Sequence, residues 1–119
     1  MEKDICERTL QLAIRIVKLC QHLDRYPGVA RTLSHQLVRS GTSIGANVEE
    51  AQAAQSTADF VSKMSIALKE ARETRYWLKL LVATEVLPET RLLGLQSETE
   101  EMTRILGAIV SKKRSSGAP

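Results

Sequence analysis

Apolar residues recur every three or four positions through four long segments of this 119-residue chain. In the first segment the stripe passes through Leu12, Ile16 and Leu19, a spacing that places side chains on one face of an α-helix. Short runs rich in Pro, Gly, Ser or Thr separate the segments, and Tyr26-Pro27-Gly28 is the clearest of these stops. The pattern predicts four helices, over residues 3–23, 29–54, 58–84 and 88–113.

Helices of this length joined by short turns predict an all-α fold, an antiparallel up-down four-helix bundle. We expect one bundle domain over residues 1–113 and a disordered tail over residues 114–119, where Ser, Gly and Pro predominate. Only 3% of the residues are aromatic, so Leu, Ile, Val and Ala must fill the interior. A chain of this size can bury such a core without disulfides or a structural metal.

Two glycines, Gly41 and Gly45, interrupt the second helical segment. Each costs roughly 1 kcal/mol relative to Ala in a helix, so one interpretation is a break into two shorter helices. We predict a continuous helix instead, because the apolar stripe keeps its phase from Leu37 through Ile44 to Val48. The two glycines are four residues apart and share a face, which predicts that a neighbouring helix approaches closely there.

The sequence contains no cluster or motif that would support catalysis or cofactor binding. A Cys/His cluster, a phosphate-binding glycine loop and a nucleophile elbow are all missing, so we predict no catalytic residue, no metal site and no cofactor. Cys6 and Cys20 lie about 21 Å apart if they share one helix, too far for a disulfide. They indicate core residues in a reducing compartment, and we expect a cytoplasmic protein without a membrane span.

The net charge of +3 equals the charge of the triplet Lys112-Lys113-Arg114 alone. Further basic residues recur on the first and third helices, where they predict a surface that binds nucleic acid, RNA or DNA. The alternative is a solvated, salt-bridged face, because Glu70 and Glu73 interleave with the third-helix cations. Tyr76 and Trp77 are candidates for base stacking, although Trp77 also suits a core or interface position. The candidate nucleic-acid-binding residues are Arg15, Lys18, Lys69, Arg72, Arg75, Lys79, Lys112, Lys113 and Arg114.

A polar residue, Asn47, lies close to the apolar seam of the second helix. It is either a boundary residue in contact with water or a buried, hydrogen-bonded residue that fixes the helix register. In the second case Ser43 and Glu50 belong to the same register-fixing group, with Glu70 and Glu73 facing it from the next helix. We predict that Asn47→Leu would change the register or oligomeric state more than the helicity.

The segment Ser43-Ile44-x-x-Asn47-Val48-x-Glu50 resembles a Ser-Ile-x-x-Asn-Ile-x-Glu signature. It is found in the four-helix-bundle family encoded in intervening sequences of bacterial large-subunit ribosomal RNA genes, which includes the accessory variability protein of diversity-generating retroelements. The segment from Ile66 to Leu78 is similar to the third-helix pattern of one branch. Two departures are Ala51, where the family often has Gly, and Lys69-Glu70, where many members have Gly-Ser.

The resemblance implies an up-down bundle that assembles into a ring-like homo-oligomer, typically a pentamer. In the retroelement branch it also implies binding of nucleic acid and of a reverse transcriptase. We therefore predict a non-enzymatic, homo-oligomeric protein associated with nucleic acid, with RNA as the expected polymer. The alternative is a protein-interaction scaffold, such as an accessory subunit for a reverse transcriptase.

Overall fold

The computed structural model describes residues 2–117, with side chains described for residues 5–116, and this part of the chain contains no strand. Four α-helices follow one another, as predicted: α1 (Glu2–Leu23), α2 (Val29–Gln52), α3 (Thr57–Ala83) and α4 (Glu89–Gly117). Helix α2 is unbroken through both of its glycines, which confirms the continuous helix. The bundle measures 51 × 21 × 20 Å along its principal axes.

Local chemistry explains two of the helix starts. Ser56 is the N-cap of α3, and its hydroxyl accepts a 3.0 Å hydrogen bond from the Asp59 backbone N–H, as Ser at this position should. Gly28 precedes α2 with φ of 89°, a conformation that a residue with a Cβ rarely adopts. The starts of α2 and α3 are thus set by residues that are adjacent to them in the sequence.

Helix α4 extends four residues beyond its predicted end at Lys113 and finishes at Gly117. The first four residues of the predicted tail, residues 114–117, thus continue α4. The physical reason is that Lys113 and Arg114 still pack on α3, at Phe60 and Ser65 respectively. Basic residues at a helix C-terminus also stabilise the helix, because they interact favourably with the negative end of its dipole. The remainder of the predicted tail, residues 118–119, lies outside the described residues.

Neighbouring helices run antiparallel, because the contacting residue numbers rise on one helix as they fall on the next. On α1 and α2, Cys20 contacts Ser34 while Thr9 lies against Gly45. The same reversal relates α2 to α3 through the Ser40–Thr74 and Glu50–Lys63 contacts. It relates α3 to α4 through Ser65–Arg114 and Arg75–Glu100. It relates α4 to α1 through Arg8–Glu101 and Arg15–Gly94. The described helices therefore form the predicted up-down four-helix bundle.

The core is aliphatic along the length of the bundle. All four helices contribute fully buried side chains from the stripes predicted from the sequence, and each contributes roughly 1.5–3 kcal/mol through burial. Phe60 and Trp77 are only partly buried and pack against the margin of this core. The largest fully buried side chains are Leu12, Ile16, Leu23, Leu37, Ile44, Met64, Leu78, Leu81, Leu92, Met102, Leu106 and Val48.

Helices α1 and α2 approach closely at the two glycines of α2. A Cβ on Gly41 would lie 2.6 Å from Cδ1 and 2.8 Å from Cγ2 of Ile16, and a Cβ on Gly45 would lie 3.2 Å from Oγ1 of Thr9. The predicted close approach is thus confirmed, and the lost helix propensity is offset by tighter packing.

Cys6 and Cys20 do not form a disulfide with each other. Cys20 is buried, and its thiol donates to the Ser34 carbonyl (3.4 Å) while the Ser34 hydroxyl donates to the Cys20 carbonyl (3.2 Å). Burial raises the pKa of the Cys20 thiol, because desolvation disfavours the thiolate. Among the described helices, none is long and apolar enough to cross a membrane.

Candidate nucleic-acid interface

Six residues of α3 are spaced alternately three and four positions apart and therefore share one side of the helix. We call this row of residues the α3 ridge; it consists of Ser62, Ser65, Lys69, Arg72, Tyr76 and Lys79. Residues three and four apart lie one above another on a helix. The ridge is therefore a nearly straight line roughly 25 Å long. All of its members are exposed except Ser65, which is half-buried. Three cations and one tyrosine thus face solvent in a row.

The last turns of α4 extend the ridge at its N-terminal end. Lys113 and Arg114 meet Lys69 around an open groove of about 680 Å³, here called the α3–α4 groove. The Arg114 guanidinium donates to the Ser65 hydroxyl at 3.4 Å, and the Lys113 ammonium lies 5.3 Å from the centre of the Phe60 ring. The other lining residues are Thr57, Ala58, Val61, Ser62, Ser65 and Ile66. The groove thus combines three cations with hydroxyl groups.

The carboxylates that interleave with the α3 cations in the sequence point away from the ridge. Glu70 and Glu73 both face α2, where Arg39 binds the two of them; its Nη1 lies 3.4 Å from the Glu70 carboxylate. Trp77 strengthens this arrangement by donating from Nε1 to the Glu73 carboxylate at 3.1 Å. Lys69 and Arg72 are therefore not neutralised by the acids adjacent to them in sequence.

Only one of the nine predicted nucleic-acid-binding residues has an acidic partner. Arg75 pairs with Glu100 at 3.1 Å, whereas the ion pairs among residues 5–116 involve none of the other eight. On α1, in contrast, Arg8 binds Glu98 and Glu101, and these two hydrogen bonds, chiefly the one to Glu98, raise its pKa. The outer surface of α3 and the end of α4 thus carry a group of exposed cations without an acidic partner among residues 5–116: Lys69, Arg72, Lys79, Lys113 and Arg114.

The structure does not bring all nine residues together. Four of them lie on α3: Lys69, Arg72, Arg75 and Lys79. Lys113 and Arg114 lie on α4 and line the same groove as Lys69. Arg15 and Lys18 are exposed on α1, which contacts α2 and α4 but not α3, so they lie across the bundle. Lys112 is exposed on α4, outside the residues that line the groove.

The predicted register-fixing residues do not meet across the α2–α3 contact. Asn47 is half-buried, and its Nδ2 donates to the Ser43 carbonyl of its own helix at 2.8 Å. Glu50 pairs with Lys63 at 3.1 Å, away from Glu70 and Glu73.

The buried polar link between α2 and α3 is instead a 2.9 Å hydrogen bond from the Thr74 hydroxyl to the Ser40 hydroxyl. Both residues are fully buried. Sequence reasoning missed the pair, and the signal was Thr74 in the gap between Ala71 and Leu78 on the apolar stripe.

Within residues 5–116, no three His, Cys, Asp or Glu side chains lie close enough to hold a metal ion. The chemistry available on the α3 ridge and in the α3–α4 groove is therefore that of cations, hydroxyls and one exposed phenol ring. Such groups bind phosphates and stack on bases.

The fold and this surface together define a small four-helix-bundle protein with a basic face. The model of the 23S rRNA-intervening sequence protein family matches residues 1–108. The chain therefore belongs to the 23S rRNA-intervening sequence protein family.

A solved structure is closely similar to this chain: a protein of unknown function from the S23 ribosomal protein family of Bacteroides thetaiotaomicron. It is 41% identical, with a TM-score of 0.85, over 92% of this chain and 97% of that one. The comparison with curated proteins gives no match. The name of the family refers to a ribosomal RNA and does not indicate catalysis.

Proposed function

We propose that this protein is a non-enzymatic, homo-oligomeric, cytoplasmic protein that binds RNA phosphates along the α3 ridge and in the α3–α4 groove. The observation that carries the proposal is the separation of charge on α3. The acids of that helix turn towards Arg39 on α2, while Lys69, Arg72 and Lys79 stay exposed without an acidic partner. The family's name, which refers to 23S rRNA, makes RNA the polymer to test.

Binding of this kind is electrostatic and does not depend on base sequence. Cations that neutralise phosphates release condensed counterions, so the affinity falls steeply as salt is added. A single copy of the ridge offers few cations, and the affinity of one copy is expected to be low. Several copies in one assembly would bind a longer RNA together and gain affinity through their high effective concentration.

Two exposed apolar residues on α1 support self-association. Leu10 and Ile14 are four residues apart on one helix face and are 52% and 38% exposed. Burying them against another copy would remove apolar surface from water, at about 25 cal/mol per Å². The family resemblance implies a ring, typically a pentamer, and we propose that this face of α1 contributes to its interface.

RNA binding is tested by titrating labelled RNA with the assembled protein at about 50 and 200 mM salt. The wild type is expected to bind at low salt and to lose most of its affinity at the higher concentration. Lys69→Gln is expected to weaken binding and to lower the salt slope by about one phosphate contact.

The matched control is Lys63→Gln, on the same helix. It removes the same charge from a lysine that is already paired with Glu50, so it is expected to change RNA affinity little. Absence of binding at low salt, or equal loss in both variants, would remove RNA binding by this ridge from consideration.

Self-association is tested by light scattering. The double variant Leu10→Gln and Ile14→Gln is expected to lower the molar mass of the assembly. Val29→Gln changes an apolar residue that is 72% exposed at the start of α2 and is expected to leave the mass unchanged. A wild-type protein that is monomeric at all concentrations would contradict the proposed assembly.

The second candidate function is a protein-interaction scaffold, for example an accessory subunit for a reverse transcriptase. The apolar face at Leu10 and Ile14 favours it as much as it favours self-association. Capture of partners from the native host, repeated after nuclease treatment, separates the two functions. A protein partner retained after nuclease treatment would favour the scaffold, and partners lost with the RNA would favour the first proposal.

A further inference from the structure

One residue of the α3 ridge is aromatic and faces solvent. Tyr76 is 56% exposed, a large fraction for a ring that a bundle of this kind could bury. It lies on the same line as the cations, about 6 Å along the helix from Arg72 and about 4.5 Å from Lys79. Phosphate-binding groups therefore stand on both sides of an exposed ring.

The ring is held in place by a chain of contacts that reaches α2. Tyr76 packs edge-to-face on Trp77, with the ring centres 5.2 Å apart and the planes 72° apart. Trp77 donates to the Glu73 carboxylate, which Arg39 also binds. A ring that is already ordered loses little conformational entropy when a ligand stacks on it.

We infer that the α3 ridge takes single-stranded RNA, with an unpaired base stacked on Tyr76. The flanking phosphates contact Arg72 and Lys79, and the strand continues towards Lys113 and Arg114 in the α3–α4 groove. This inference rests on the proposed RNA binding and specifies the form of RNA that is bound.

The preference follows from the geometry of the two forms of RNA. In a duplex each base is stacked and paired inside the helix, so its flat face is not available to an exposed ring. A single strand can turn a base outwards, and stacking on an aromatic side chain then adds to the phosphate contacts. Cations alone would bind both forms, and the duplex would be favoured by its denser charge. Tyr76 is the group on this surface that reverses that order.

The test compares one short labelled RNA as a single strand and as a duplex with its complement, at the same low salt. The wild type is expected to bind the single strand more tightly than the duplex. Tyr76→Ala is expected to weaken binding of the single strand by about fivefold or more, the effect of losing one stacked base, and to leave duplex binding unchanged. Tyr76→Phe keeps the ring and is expected to retain the wild-type affinity.

The matched control is Tyr26→Ala. Tyr26 is 51% exposed and also makes an edge contact with a neighbouring ring, that of His22, but it lies in the turn between α1 and α2. It is expected to have no effect on either form of RNA.

A second readout in the wild type does not depend on any variant folding. Trp77 is the one tryptophan of the chain and touches Tyr76, so its emission should change when the single strand binds and not when the duplex binds.

The outcomes separate this inference from the proposed function. If the wild type binds neither form at low salt, RNA binding itself is wrong. If it binds both forms but prefers the duplex, or if Tyr76→Ala and Tyr26→Ala behave alike, the single-strand inference is overturned while RNA binding stands. An unchanged Trp77 emission on saturation with the single strand would likewise overturn it.

Discussion

The two helical hairpins of the bundle use their glycines differently. In the α1–α2 hairpin, Gly41 and Gly45 lie against Ile16 and Thr9, where an added Cβ would meet side-chain atoms at 2.6 to 3.2 Å. In the α3–α4 hairpin, a Cβ on Gly107 would meet nothing within 4 Å. The first hairpin needs Gly41 and Gly45 for close packing, whereas the second has room beside Gly107. At Gly94, also on α4, an added Cβ would meet only the end of the Arg15 side chain of α1, at 2.8 Å.

The two hairpins also differ in some of the polar groups where their helices meet: those of the first are buried and bonded, and those of the second are exposed. In α1–α2, Cys20 and Ser34 are buried and bond each other's carbonyls. In α3–α4, an open groove is lined by three cations without acidic partners: Lys69, Lys113 and Arg114. The first hairpin thus uses its buried groups to hold its two helices together, whereas the second leaves three cations facing an open groove.

The largest effect is expected at the close contact of the first hairpin. Gly41→Ala places a Cβ against the fully buried Ile16, and overpacking of this kind costs about 1–3 kcal/mol, of which roughly 1 kcal/mol is returned by the better helix propensity of Ala. We expect a net loss in the free energy of unfolding, measured by denaturant titration. Ile16→Val removes Cδ1, the atom nearest to the added Cβ. The loss of stability in the double variant Gly41→Ala and Ile16→Val should therefore be smaller than the sum of the losses in the two single variants. A gain in stability for Gly41→Ala alone would contradict the close packing.

The matching change in the second hairpin should have the opposite sign. Gly107→Ala adds a Cβ in open space within a helix, so only the gain in helix propensity remains, up to about 1 kcal/mol. The same denaturant titration measures it. A loss of stability would mean that α3 and α4 are packed as closely at Gly107 as α1 and α2 are at Gly41.

A smaller effect of pH is expected from the first hairpin. The folded state raises the pKa of the Cys20 thiol above its ordinary value of 9.0 by burying it. Above that pH the unfolded chain loses the thiol proton while the folded chain keeps it, so the free energy of unfolding should fall as the pH rises. Cys20→Ser keeps a donor but does not titrate there, and it should show a weaker fall between pH 8 and about 10. If the free energy of unfolding falls equally steeply with pH in both proteins, the Cys20 thiol is not the source of the fall.

The smallest effect on stability is expected on the α3 ridge. Lys69→Gln and Arg72→Gln remove exposed charges without acidic partners, and such surface changes stay within about 0.5 kcal/mol. Thermal unfolding of both variants should match the wild type even where RNA affinity falls. A loss well beyond that range would show that these cations stabilise the bundle.

Most of the fold follows from local patterns in the sequence. The helix stripes predicted every element, with ends within a few residues, because helical periodicity and turn residues such as Ser56 act over short distances. The end of α4 was placed too early because Arg114 is ordered by contact with Ser65, which is distant in sequence. The Ser40–Thr74 hydrogen bond was missed for the same reason, since neither residue identifies its partner.

For the candidate site, the amino-acid sequence alone gives the identity of the cations and their spacing along one side of α3. The sequence does not show whether Glu70 and Glu73 neutralise these cations. The same alternation of acidic and basic residues also occurs on a helix face whose charges pair with one another. The answer depends on how α3 packs against its neighbours. A helix turns each successive residue by about 100°, and the position of α2 places Arg39 on the side where both carboxylates emerge. Lys69 and Arg72 are consequently left facing water.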